Sequence, residues 1–335
     1  MPQLVGKEVG ELGYGLMGLT WRASPPTQET SFRAMKASLA VGSNFWNGGE
    51  LYGTPERNSL HLLYEYFFKY PEDAEKVVLS IKGGLERGQM APNGTRENVR
   101  RSIDECLNVL DGKKFLDLFE CARVDPKTPI ETTIEAIAEY IKEGKLGGIS
   151  LSECSADTIR RAAKVHKISA VEVEYSLWAT DIEKNGVAEA CAELKIPIIA
   201  YSPLGRGFLT GQIKSFDDLT EADFRRTQPR FQGENFEKNM QLVRDIQKIA
   251  DKKGCTPGQI ATSWILTRQK LLGTVIIPIP GSSTEERVKE NSVVIDLSED
   301  DLSEVNSVLK SATIVGGRYG GPGAALEWGN SAPLQ

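Results

Sequence analysis

Tyr52 and Lys82 are the two side chains of this 335-residue sequence that could do the most chemistry if they met. A phenol with an ordinary pKa near ~10 is a weak acid at neutral pH. A lysine ammonium placed beside it favours the phenolate and lowers that value. Such a pair can protonate a carbonyl oxygen while hydride arrives at the adjoining carbon. The thirty-residue spacing does not prevent contact if each residue ends a neighbouring strand of one sheet. On spacing alone, an ordinary buried tyrosine and a surface lysine is the commoner arrangement.

Eight short runs could supply the strands: GELGYGL at 10–16, SNFWN at 43–47, KVVLSIK at 76–82, FLDLFE at 115–120, LGGISL at 146–151, AVEVEY at 170–175, IPIIAY at 196–201 and TVIIPI at 274–279. Several are too apolar for a strand with one wet face, as expected of strands buried on both sides. Helical stretches lie between them. Thr54–Pro55 reads as a cap and first-turn proline for a helix running to Lys69, and Thr256–Pro257 repeats the device. Thr95, Ser155 and Ser283 read as further caps, Ser283 with Glu286 as a capping box. The alternation predicts a parallel sheet, and eight units favour closure into a (β/α)8 TIM-type barrel over a doubly wound sheet. No composition break divides the chain, so residues 1–335 read as one domain, with a core at about 10–310 and an irregular tail at 313–335. LVGKEV near the start reads as a hairpin plugging the barrel floor. The Gly- and Pro-punctuated segment after Tyr201 reads as a long functional loop following the seventh strand.

Composition bounds the partners. Forty basic against 46 acidic residues give a net charge of −6, with no electrostatic footprint for nucleic acid. Cys106, Cys121, Cys154, Cys191 and Cys255 form no C-x-x-C and read as free thiols in a reducing compartment. The opening MPQLVGKEVG lacks the marks of a secretory signal, and no apolar run is long enough to span a bilayer. A cytoplasmic chain with no membrane partner is expected, with the nucleus also open to it. With only His61 and His166 available, a multi-histidine metal site is not expected.

In a closed barrel the loops beyond the C-terminal strand ends form the active face. Those ends are Met17, residues 47–52, Lys82, Ala122–Arg123, Ser152–Glu153, Glu172 and Tyr201–Ser202. Tyr201 could offer a ring for stacking or could be a rim aromatic of the core. Ser282, Ser283 and Arg287 near a helix start could hold a phosphate through backbone N–H groups, the helix dipole and a guanidinium fork. A capped surface helix with solvated charges is the commoner meaning of such residues. No carboxylate pair stands out at the strand ends, which argues against a carboxylate-based hydrolase. Trp21, after the first strand, fits either the core or a pocket wall.

NFWNGGELYG followed by VVLSIKGG, with YSPLGRGFLTG and IPGSSTEERVKEN further on, resembles the aldo-keto reductase superfamily. The resemblance runs from about Leu12 to Asn291, with four blocks in that family's order. It implies a (β/α)8 barrel that binds NADPH without a Rossmann fold and reduces an aldehyde, with Tyr52 as proton donor beside Lys82. Asn47 stands where the family has an aspartate, and Ala122 where it has a histidine, so half of the Asp–Tyr–Lys–His tetrad is replaced. The resemblance further implies that nicotinamide stacks on Tyr201 and that Ser152, Glu153 and Glu172 hold its carboxamide. The family more often has Asn and Gln at the last two positions. Ser202, Leu204 and Arg206 fall in its pyrophosphate strap, Ser282, Ser283 and Arg287 at the 2′-phosphate, and Glu290 and Asn291 at the adenine. The family's preferred basic residue just before Arg287 is missing. Trp21, Ala122 and Arg123 fall near the aldehyde.

The combination NGGELYG with FECARVDP resembles the pyridoxal reductase subfamily, which implies reduction of pyridoxal to pyridoxine. With Asn47 neutral, a Lys82 that stays protonated is expected to act on Tyr52 less opposed and to depress its pKa further; the rival outcome is a desolvated lysine that, without a counter-ion, loses its proton and gives Tyr52 little electrostatic help. An alternative within the superfamily is an NADPH-binding regulatory subunit of the potassium-channel β type. The replaced Asp and His favour it, and the retained Tyr52 and Lys82 oppose it. A small-molecule aldehyde is the expected partner, and a monomer or weak oligomer the expected assembly.

Overall fold

The computed structural model describes residues 1–334. Strands β1 (Gln3–Leu4) and β2 (Lys7–Glu8) form an antiparallel hairpin. Eight further strands follow: β3 (Tyr14–Gly15), β4 (Phe45–Gly49), β5 (Val78–Gly83), β6 (Leu116–Cys121), β7 (Leu146–Ser152), β8 (Ile168–Glu174), β9 (Ile198–Tyr201) and β10 (Ile276–Pro278). They pair in parallel and in chain order, and the sheet closes where Gly15 bridges Gly281. The Gly13 N–H donates to the Pro278 carbonyl at 2.8 Å along the same seam. Each run expected to form a strand does so, and the result is the (β/α)8 barrel.

The period of two along each strand sorts the barrel interior into layers. Near the N-terminal strand ends the inward residues are apolar: Phe45, Val78, Leu118, Ala170, Ile199 and Ile277 form one buried cluster. Leu4 and Val9 of the hairpin region join it and seal the floor, as the LVGKEV run suggested. Two residues further along, the same faces turn polar: Asn47, Ser80, Glu120, Ser150 and Glu172 are all buried. Apolar packing therefore fixes the floor, and the mouth is left for chemistry. The outward faces pack against the helices in a second, larger core.

Helix starts follow the caps in part. Thr95, Ser155 and Thr256 cap the helices Arg96–Leu110, Ala156–Val165 and Pro257–Leu272, the last with a full capping box to Gln259. Thr54–Pro55 does not begin a helix. Gly53 bridges Asn58, Thr54 and Arg57 exchange backbone hydrogen bonds in a turn, and Asn58 caps Ser59–Lys69 instead. Ser283 is not a cap either, because Thr284 accepts from the Arg287 N–H and starts the short helix Glu285–Asn291.

After β9 the chain runs through four 3-10 turns before the long helix Gly233–Lys253, giving the long loop after the seventh barrel strand. The tail beyond the helix Glu299–Ser311 is irregular but anchored. Buried Asn239 holds both the N–H and the carbonyl of Val315, each at 2.9 Å. Further on, Gly329 bridges Cys154, and Ala332 bridges Pro129. The tail thus crosses the mouth of the barrel as a strap.

Candidate active site

Local backbone chemistry sets Tyr52 in place. Gly49 lies under its ring, where a Cβ would sit 3.0 Å from the aromatic carbons. Gly53 has φ +134°, and a Cβ there would meet the Arg57 carbonyl oxygen at 2.3 Å, so the turn carrying the tyrosine needs glycine. The Thr20 hydroxyl donates to the Tyr52 carbonyl at 2.6 Å, and Trp21 stacks on the Tyr52 ring at 5.6 Å. Trp21 is 41% exposed while Tyr52 is buried, so the indole forms a wall between the phenol and solvent.

Lys82 ends β5 beside this loop. Its Nζ lies 5.8 Å from the Tyr52 ring centroid. It donates to Asn47 Oδ1 at 2.9 Å, forms an ion pair with Glu120 at 3.2 Å, and hydrogen-bonds Glu172 Oε1. Asn47 Nδ2 donates to Glu172 Oε2 at 2.7 Å and to Glu120 Oε1 at 3.2 Å, and the Ser150 hydroxyl donates to Glu120 Oε2 at 2.8 Å. Burial acts to lower the Lys82 pKa, but the two carboxylates outweigh it and hold the ammonium above its usual range. One buried cation facing two buried carboxyls approaches neutrality when the pair retains one proton. Burial and the Glu120 carboxyl push the Glu172 pKa well up. Both Glu172 oxygens accept from N–H donors, one of them the Lys82 ammonium, whereas Glu120 keeps the longer contact to Lys82 and accepts from the Ser150 hydroxyl.

This cluster corrects two readings of the sequence. A carboxyl pair does stand at the strand ends, because Glu120 and Glu172 converge across the barrel on Lys82. Nor does Lys82 act less opposed because residue 47 is neutral, since two other strands supply the opposing charge. The phenol shows the effect. Burial pushes the Tyr52 pKa up to about 12; Lys82 works against this, and Glu172 and Glu120 add to it. Sequence reasoning missed Glu120. Counting by two from Leu118, the inward partner of Val78's layer, would have placed it beside Lys82, its register partner.

The remaining candidates divide by what engages them. Ser152 Oγ is buried and has no hydrogen-bond partner. Glu153 is buried, and Arg318 of the tail grips both its oxygens, at 2.7 and 3.2 Å. Burial alone would raise the Glu153 pKa, but Arg318 overcomes it and holds the carboxyl low. The Tyr201 hydroxyl donates to Glu153 at 2.9 Å and contacts the Tyr319 hydroxyl at 2.8 Å. Arg206 donates to the Arg318 carbonyl at 2.7 Å and to Glu174 at 3.0 Å, with its guanidinium 4.4 Å from the Tyr319 ring centroid. Glu153, Ser202 and Arg206 have positive φ of 52°, 49° and 57°, a strained choice for residues other than glycine. Leu204 is buried beside them.

Ala122 is buried and leaves its position without a polar side chain. The neighbouring Arg123 donates to the Ala122 carbonyl at 2.6 Å and to the Tyr319 hydroxyl at 3.1 Å, so a guanidinium rather than an imidazole flanks the mouth. Ser282, Ser283, Arg287, Glu290 and Asn291 gather on the far side of the seam. The Arg22 guanidinium donates to Ser283 Oγ at 3.2 Å, and Asn291 Nδ2 donates to Ser282 Oγ at 2.8 Å. Arg287 is partly exposed and pairs with Glu290 at 3.1 Å. Glu285 and Glu286 fill the first helical turn, so the side chains here, more than the helix dipole, offer positive charge to an anion.

Residues 11–310 match the Aldo/keto reductase family, and the chain belongs to that family. It is therefore an oxidoreductase of a class that works with a nicotinamide cofactor. It is 44% identical over 326 residues to a Schizosaccharomyces pombe protein described as "Probable pyridoxal reductase 2", a match covering 95% of this chain and 97% of that one. It is 38% identical to "Aldo-keto reductase yakc [NADP(+)]" of the same yeast, covering 94% and 93%. The solved glycerol dehydrogenase of Gluconobacter oxydans shares the fold, with a TM-score of 0.80 at 20% identity over 93% of this chain and 96% of that chain. Among the described residues no helix is long and apolar enough to cross a membrane.

Proposed function

We propose that the protein reduces an aldehyde to an alcohol with NADPH in the cytoplasm, that pyridoxal is the favoured substrate, and that Tyr52 donates the proton. The observation that carries this reading is the buried phenol of Tyr52 beside the buried ammonium of Lys82 at the C-terminal mouth of the barrel. NADPH, when bound, supplies hydride to the carbonyl carbon. The Tyr52 hydroxyl delivers its proton to the carbonyl oxygen, and the Lys82 charge stabilises the phenolate left behind. Trp21 screens that exchange from water. Arg123 stands where the family's histidine is absent and supplies positive charge toward the oxygen. The partnerless Ser152 hydroxyl suits a carboxamide, which both donates and accepts. Arg287 with Ser282 and Ser283 suits the 2′-phosphate. The S. pombe relatives' descriptions support pyridoxal and NADP(H).

The test is NADPH oxidation by the purified protein with pyridoxal, simple aldehydes and sugars. Pyridoxal should give the highest kcat/KM, and Tyr52→Phe should lower kcat by about 10²–10⁴-fold while leaving NADPH binding nearly unchanged. Full turnover by Tyr52→Phe would remove the proton donor from the scheme.

A further inference from the structure

We propose that Glu172 is the counter-ion of Lys82, and that Asn47 and Glu172 form a reciprocal acid–amide pair whose members can be exchanged with function retained. The proposal rests on the Tyr52–Lys82 reading above and deepens it by naming the residue that holds the lysine in its working state.

The argument is one of donors and acceptors. Lys82 Nζ has only protons to give, and it gives them to Asn47 Oδ1 at 2.9 Å and to Glu172 Oε1. With its oxygen so used, Asn47 must turn its amide nitrogen to Glu172 Oε2, 2.7 Å away. The three side chains form a closed ring in which each atom has one permitted role. Other groups face this ring from the surrounding elements: Glu120 from β6, Ser150 from β7, and Tyr52 and Arg123 from the loops beyond β4 and β6. Glu120 keeps the longer contact to Lys82, at 3.2 Å.

Changing one member alone breaks the ring. In Glu172→Gln, an amide that accepts from Lys82 through its oxygen turns its N–H groups toward the N–H groups of Asn47. In Asn47→Asp, a carboxylate oxygen meets a carboxylate oxygen in a buried site. The double exchange, Asn47→Asp with Glu172→Gln, repairs both. The introduced aspartate and the introduced glutamine both accept from Lys82, the glutamine amide donates back to the aspartate, and the total charge is unchanged. The short hydrogen bond between positions 47 and 172 reverses direction, and the longer one from Asn47 to Glu120, at 3.2 Å, is given up. Glu172 is thus a positioning residue that acts through Lys82 on Tyr52.

The experiment compares wild type, both single variants, the double variant and Tyr52→Phe in one NADPH-oxidation assay. kcat, KM and the pH dependence of kcat/KM are measured together, with thermal melts to report folding. Each single variant should lose about tenfold or more in kcat. Glu172→Gln removes a carboxylate facing the phenol and should shift the alkaline limb to lower pH, while Asn47→Asp adds one and should shift it higher. The double variant should return to within about threefold of wild type in kcat and restore the limb, a non-additivity that general damage does not produce. A double variant no better than the product of the singles, or a Glu172→Gln protein with wild-type kcat and limb, overturns the proposal. If a single variant does not fold, the double decides: near-wild-type turnover supports the exchange, and turnover below a tenth overturns it. A Tyr52→Phe protein that keeps full turnover defeats the underlying reading instead, whatever the exchange does.

Discussion

At the scale of single residues, the protonation of Tyr52 gives a direct test. Its pKa, pushed up to about 12 chiefly by burial, lies above that of an ordinary phenol. Reduction needs the protonated form, so kcat/KM should stay level through neutral and mildly alkaline pH and fall only above pH ~10, where free tyrosine is half ionised. A pH–rate profile with a non-ionising aldehyde checks this, and a limb near pH ~8 contradicts it. Arg287 gives a second test. Arg287→Ala should weaken NADPH by about 1.5–3 kcal/mol and NADH far less, measured by fluorescence titration, because only NADPH carries the 2′-phosphate. The Glu290 carboxylate competes for that guanidinium, which favours the lower end of the range. Tyr52 and Lys82 were legible in the sequence because motif and strand-end position agreed. Glu120 was not, because a glutamate ending a strand acquires meaning only from what the opposite wall of the barrel presents to it. Glu172 was legible as a site residue, but its engagement with Lys82 and Asn47 was not.

At the scale of elements, the apolar runs announced every barrel strand, since strands buried on both faces leave few other readings. Helix starts were legible where a cap had no local rival, as at Thr95, Ser155 and Thr256. They failed at Thr54–Pro55, where the Gly53–Asn58 bridge competes for the same backbone. The tail was legible only as irregular, because its anchors are single contacts at long sequence separation. Arg318 is its buried fixing point, paired with Glu153 at 2.7 Å and Glu174 at 3.4 Å. Arg318→Ala strands the buried Glu153 carboxylate, while Glu174 keeps Arg206 at 3.0 Å, and should cost about 3–5 kcal/mol in denaturant unfolding. Arg318→Lys should recover little of this, since an ammonium cannot reproduce the two-pronged grip on Glu153. The depressed Glu153 pKa sets the sign with pH. Its contribution is present above the unfolded value near ~4.3 and is lost as pH falls through the lower folded value. Wild type should therefore show a stability loss below about pH 4 that Arg318→Ala lacks, visible in melts across that range.

At the scale of the whole molecule, stability and chemistry occupy opposite ends of one barrel, with the hairpin and apolar layer at the floor and the charged cluster under the strap at the mouth. The seam between Gly15 and Gly281 joins segments from near the two ends of the sequence, and β3 is only two residues long. Hydrogen exchange should find the Gly13 and Gly15 amides opening before those of the longer strands β5 to β8. The seam also sets an order of assembly. Contacts this far apart in sequence are the slowest to form. Until Ile276 to Pro278 arrive, β3 and β9 each expose a row of backbone groups that nothing else in the chain covers. Open strand edges of that kind pair with other chains. Nascent chains arrested ahead of Ile276 should therefore accumulate as aggregates rather than as soluble, weakly active barrels, and sedimentation of such arrested products will show which occurs.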